Sequence, residues 1–91
     1  MDYKIYKKKK KLKIRDLTTK FVVYDYEKGI HVELNESAKI IWVFLDTMSV
    51  DEVVDNYAIY YGIDAETANN DVMCVINELE ERGLLEKDGE L

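Results

Sequence analysis

Phe21-Val22-Val23-Tyr24-Asp25-Tyr26-Glu27-Lys28-Gly29-Ile30-His31-Val32-Glu33-Leu34-Asn35-Glu36-Ser37-Ala38 is the stretch that decides the fold. It opens on a β-branched and aromatic run, Phe21 to Tyr24, which reads as a strand. Tyr26-Glu27-Lys28-Gly29 follows, and Gly29 supplies the positive φ that closes a three-residue hairpin loop with a bulge. The returning strand is Ile30 to Leu34. With that turn Tyr26 faces Ile30, Tyr24 faces Val32 and Val22 faces Leu34, so these six side chains form the core face and His31 and Glu33 lie on the other. Asn35 then caps a helix.

Upstream, Leu12 and Ile14 alternate with Lys13 and Arg15, a first short strand that reaches Phe21 through Thr18 and Thr19. Downstream, three helices are punctuated in turn. Ala38, Ile41, Trp42 and Leu45 recur at helical spacing behind Asn35, widened by Ile40 and Phe44, which makes this helix largely buried. Ser49-Val50-Asp51-Glu52 is a capping box for the second helix, whose stripe is Val50, Val53, Val54, Tyr57 and Tyr61 before Gly62 stops it. Asp64 caps the third, Ile63 and Ala68 are placed as a hydrophobic staple, and Ala68, Val72, Val75, Ile76 and Leu79 are core positions. Gly83-Leu84 is a Schellman stop. Tyr61-Gly62-Ile63-Asp64 fits a helix-turn-helix corner. The fold class is therefore α+β: a winged helix-turn-helix with a three-stranded antiparallel N-terminal sheet followed by three helices.

The chain has 91 residues, 47% apolar and 35% charged, which fits one folded domain rather than a disordered segment. Residues 12–86 form that domain, flanked by a basic arm, residues 1–11, and a short tail, residues 87–91. The net charge of −6 conceals an asymmetry: residues 1–20 hold nine Lys and Arg against two acids, and the remainder holds four against seventeen. Lys7 to Lys11 is either a solvated terminus or an arm that grips an acidic partner. No apolar run approaches the roughly 20 residues that span a bilayer, and no signal peptide is legible. With one cysteine, Cys74, and so no internal disulfide, the expected home is the cytoplasm.

Chemistry is hard to place on this sequence. One Cys and one His exclude an ordinary four-ligand zinc site, and no phosphate-binding, dinucleotide-binding or metalloprotease motif occurs. Cys74 lies mid-helix among core positions and reads as a buried structural thiol. His31 and Glu33 read as surface neighbours on a strand. No enzyme, cofactor or metal is expected. The helix-turn-helix corner invites a DNA-binding reading, but the third helix carries Asp64, Glu66, Asp71, Glu78, Glu80 and Glu81 against Arg82 alone. That charge repels phosphate and leaves any attraction to the lysine arm.

Gly29 to Ala38, followed by Ile41-Trp42 and Leu45-Asp46, resembles the PqqD-like family of peptide-binding domains, also called the RiPP recognition element. The likeness runs on through Ser49-Val50-Asp51-Glu52, Tyr61-Gly62-Ile63-Asp64, Asp71-Val72 and Leu79 to Leu85, covering about residues 12–86. The resemblance implies a domain that holds the leader segment of a ribosomally made precursor peptide and presents it to a modifying enzyme, commonly a radical SAM protein. Lasso-peptide and azoline-forming systems use similar domains. The lysine-rich arm is not part of the motif.

Such a role asks for an unpaired strand edge with a groove beside it. If Ile30, His31, Val32, Glu33 and Leu34 form an edge strand, their free backbone groups can pair with an extended peptide. A proline at Val32 is expected to weaken that pairing where the Val32 N–H points outwards. Asp71, Cys74, Val75 and Glu78 share one face of the third helix and are the candidate groove wall, with acids that favour Lys or Arg in the leader. The opposite shoulder, Met73, Asn77 and Glu80, is the other possible wall. The expected partners are thus a leader peptide and a modifying enzyme, with neither nucleic acid nor membrane, on a monomer or weak dimer. A winged-helix DNA-binding regulator and a generic adaptor domain are the alternative functions.

Overall fold

The computed structural model describes residues 5–8 and 12–88. Within them the order is β1 (Ile5–Lys8), β2 (Leu12–Asp16), β3 (Phe21–Asp25), β4 (Ile30–Leu34), α1 (Glu36–Phe44), α2 (Val50–Tyr61), α3 (Ala65–Glu81) and β5 (Leu85–Asp88). β2, β3 and β4 form an antiparallel sheet in that order, and β1 pairs antiparallel with β5 in a second, two-stranded sheet.

The β3–β4 turn differs from the expected one by a single residue. Asp25 pairs with Ile30 and Val23 with Val32, so the loop is Tyr26 to Gly29, four residues rather than three plus a bulge. Asp25 causes this. Its carboxylate accepts the Glu27 and Lys28 backbone N–H groups at 3.1 and 3.2 Å, and its carbonyl accepts the Gly29 N–H at 2.7 Å. Gly29 sits at φ +70°, where a side chain is strained. The slip turns β3 over: Phe21 and Val23 are buried with Val32 and Leu34, whereas Val22 and Tyr24 lie on the outer face with His31 and Glu33. Ile30 and Tyr26, expected in the core, are exposed.

The helices start and stop at the expected signals. Asn35 Oδ1 accepts from Ala38 N at 2.9 Å, the Ser49–Glu52 capping box is complete, and Asp64 Oδ1 accepts from Thr67 N at 2.7 Å. Gly62 ends α2, with Ile63 N donating to Ala58 O at 3.0 Å. Gly83, at φ +79°, ends α3 in a Schellman turn: Leu84 N donates to Leu79 O at 2.9 Å and Gly83 N to Glu80 O at 3.0 Å.

The core lies between the inner face of the three-stranded sheet and the helices. It joins Phe21, Val23, Val32 and Leu34 to Ile41, Trp42 and Leu45 of the first helical segment, Val53 and Tyr57 of α2, and Val72, Ile76 and Leu79 of α3. Leu84 and Leu85 are also buried and anchor the exit from α3. α1 is less enclosed than expected, with Val43 exposed, and Tyr61 leaves the α2 stripe for the surface. Part of the expected arm and tail is strand: β1 and β5 bring Ile5 opposite Asp88 and Lys8 opposite Leu85. Neither segment has a pattern long enough to announce a strand alone; each needs the other. Lys9 to Lys11 lie outside the described residues.

Replacing Asp25 with Ala removes the acceptor for two turn N–H groups and is expected to cost about 1–3 kcal/mol in urea unfolding, with Asp25→Asn costing less because its amide oxygen still accepts. An unchanged midpoint for Asp25→Ala would show that the turn does not depend on this carboxylate. The Asp64 carboxyl is held below its ordinary 3.8 by the Thr67 backbone N–H and then by the Thr67 hydroxyl. Its contribution is whole above that value and is lost as pH falls through the lower, folded one. Asp64→Asn keeps the cap and does not titrate, so its stability is expected to fall less steeply than wild type on acidification below about pH 4.

Candidate functional site

The direction of each backbone group on β4 follows from the far end of the sheet. Leu17 and Lys20 exchange both hydrogen bonds of the β2–β3 turn, at 2.7 and 3.3 Å. In an antiparallel ladder the bonding side alternates residue by residue. Val22 and Tyr24 therefore bond towards β2, while Phe21, Val23 and Asp25 bond towards β4, as the Gly29 N to Asp25 O bond requires. Their partners Leu34, Val32 and Ile30 turn inwards to β3, which leaves the N–H and C=O groups of His31 and Glu33 facing the other edge, free of any strand among the described residues. Val32 does not present its N–H outwards, so a proline there disrupts the sheet rather than the edge.

Side chains alternate independently of this. Val32 and Leu34 are 5% and 7% exposed and point to the inner face; His31 and Glu33 are exposed on the outer one. His31 stacks on its cross-strand partner Tyr24, with ring centroids 4.4 Å apart.

Beside the free edge runs α3, and between them is a groove of about 90 Å3. Val32, Leu34 and Ala38 line its floor side; Val75, Glu78, Leu79 and Arg82 form the helical wall. These last four recur at the i, i+3, i+4, i+7 spacing of one helix face. The wall is thus displaced from the expected one by four residues, about one turn towards the C-terminus on nearly the same face. Val75 and Glu78 belong to it. Cys74 does not; it is exposed, against the expectation of a buried thiol, on a shallow shelf with Asn77, Glu78, Glu81 and Arg82. Asp71 is on the α2 side, its carboxylate 3.5 Å from the Tyr57 hydroxyl, a phenol that burial pushes above its ordinary range. Of the opposite shoulder, Met73 packs against the core, and neither it nor Asn77 nor Glu80 lines the groove. Leu79 and Arg82, missed from sequence, were marked by that same spacing from Val75.

The groove sets the apolar side chains of Val32, Leu34, Val75 and Leu79 among polar residues: Arg82, paired with Glu78 at 3.3 Å, and also Glu33 and Asn35. Among the described residues no group of His, Cys, Asp and Glu is placed to hold a metal ion, and no helix is long and apolar enough to cross a membrane. Since Cys74 is exposed in the folded chain, a maleimide is expected to label it without denaturant at a rate close to that of the unfolded chain; labelling gated by unfolding would place it in the core.

Two solved structures share this architecture. TbiB1 in complex with the TbiA(beta) leader peptide superposes with a TM-score of 0.82 at 21% identity, over 92% of this chain and 99% of that one. Lasso peptide synthetase B1 complexed with the leader peptide gives 0.79 at 21% identity, over 89% and 96%. No curated protein sequence is significantly similar to the chain. The family model for coenzyme PQQ synthesis protein D matches residues 20–85, from the turn before β3 to the first residue of β5. The chain therefore belongs to the PqqD family.

Proposed function

We infer that the protein binds the leader segment of a ribosomally synthesised precursor peptide by adding it as a strand to β4, and presents it to a modifying enzyme. The observation that carries this reading is the free edge: two residues, His31 and Glu33, direct four backbone hydrogen-bonding groups beside a groove that holds Val32, Leu34, Val75 and Leu79. An extended peptide satisfies those groups and sends alternate side chains into the groove between Val32 and the Val75–Leu79 wall. The two solved structures compared above each hold a leader peptide, which supports the same occupant here.

Energetics set the required form of the ligand. Ordering a disordered segment costs about 2–5 kcal/mol, more than a few main-chain bonds return, so at least one apolar side chain must be buried in the groove. A Kd between about 10 nM and 1 µM is expected. DNA is a poor match for this surface: α3 exposes Glu66, Asp71, Glu78 and Glu81, and its one cation, Arg82, is already paired.

The protein acts in the cytoplasm and has no turnover of its own; the chemistry belongs to a partner such as a radical SAM enzyme. Within the site, Val32, Leu34, Val75 and Glu78 meet the inward side of the peptide, and Ile30 covers its end. Cys74 and Asp71 lie beyond the groove and touch only a longer ligand.

Isothermal titration with the leader of a precursor encoded beside this gene tests the reading. His31→Pro removes an outward N–H at a sheet edge, where proline is tolerated. It is expected to weaken binding about three- to tenfold relative to His31→Ala, with the fold retained. No binding by the wild type to any such leader, or equal affinities for the two variants, would overturn it.

A further inference from the structure

The groove accounts for only one side of a docked strand. The residue opposite Val32 enters it, but the residues opposite His31 and Glu33 have their side chains on the other face of the sheet, because neighbouring strands place opposed residues on the same side. That outer face is built in rows. Lys13, Tyr24 and His31 stand in register across the sheet, as do Arg15, Val22 and Glu33. Each row stops at the free edge.

The first row ends in stacked rings. Tyr24 and His31 lie 4.4 Å apart, and Tyr26 adds a third ring 6.5 Å from Tyr24 with Lys13 Nζ 5.7 Å from its centroid. The second row ends in Glu33, an exposed acid whose nearest cation in the row, Arg15, is two strands away across Val22. Of the acids on α3, Glu78, which lines the groove, holds Arg82 at 3.3 Å, and Asp71 faces Tyr57. At the docking edge itself, charge selection therefore falls on Glu33.

We propose that the outer face of the bound leader is read as well: Glu33 selects Lys or Arg at the position opposite it, and the Tyr24–His31 stack selects an aromatic side chain opposite His31. The groove takes the apolar residue between them. The recognised element is then three consecutive residues, an apolar one flanked by a basic and an aromatic one. This rests on the leader-binding reading of β4. Cross-strand opposite-charge and aromatic pairs of this kind each change affinity about two- to fivefold.

Selecting a library of short random peptides against the wild type, Glu33→Lys and Tyr24→Ala separates the two claims. The wild type is expected to enrich the basic–apolar–aromatic element. Glu33→Lys should exchange the basic residue for Asp or Glu and leave the other two positions alone, and Tyr24→Ala should relax only the aromatic one. Glu33→Gln, isosteric and neutral, should lose the basic preference without reversing it. Peptides with the apolar residue but identical neighbours for wild type and Glu33→Lys would overturn the outer-face proposal and leave the groove standing. Failure to enrich any peptide, or enrichment indifferent to His31→Pro, would overturn the docking edge itself and this proposal with it.

Discussion

The Asp25 carboxylate and the four-residue turn it closes set the register on which the rest of the site depends. Side chains alternate with a period of two, so a shift of one residue between β3 and β4 would exchange the inner and outer faces of one strand. With Asp25 opposite Ile30, Phe21 and Val23 meet the helices and Tyr24 stands beside His31. The same register decides which backbone groups are spare. One buried acid, 6% exposed, thus governs both the core and the edge.

The helical side of the site has its own constraint, the rotation of α3. Asp64 fixes where the helix begins, Gly83 where it ends, and the buried Leu84 and Leu85 prevent it from turning about its axis. Val72, Ile76 and Leu79 are then committed to the core, and the adjoining stripe, Val75, Glu78 and Arg82, falls over the free edge of β4. Leu79 belongs to both. The groove is the gap left where a helix packed on one face of a sheet passes beyond its last strand.

Local chemistry made much of this legible in the sequence. Asn35, Ser49–Glu52, Asp64, Gly62 and Gly83 each announce a helix boundary through a hydrogen bond made within a few residues, and all act at the boundaries read from them. The order of three strands and three helices followed. What was not legible depends on distant partners. Both Phe21/Val23 and Val22/Tyr24 make an acceptable apolar pair, so the pattern alone did not choose between registers; an aspartate capping its own turn did. Cys74 and Val75 are neighbours on one helix face, and only the packing of α3 on the sheet exposes the first and half-buries the second. β1 and β5 are short, and their pairing joins the two ends of the chain.

The distribution of charge gives the architecture a direction. Acids crowd the outer side of α3, while Lys13, Arg15 and Lys20 lie on β2 and the turn that follows it, so the free edge of β4 runs between an acidic helix and a basic sheet. A strand laid along that edge would see an asymmetric field, with Glu33 the one acid in the two cross-strand rows of the sheet's outer face. Backbone pairing alone carries no sequence information, since every residue except proline offers the same donor and acceptor. Discrimination must come from what flanks the edge. In this chain those flanks are chemically unlike: on one side a groove that holds Val32, Leu34, Val75 and Leu79, and on the other a row of rings and a carboxylate. A segment that satisfies both has far fewer sequences available to it than one that satisfies the groove alone.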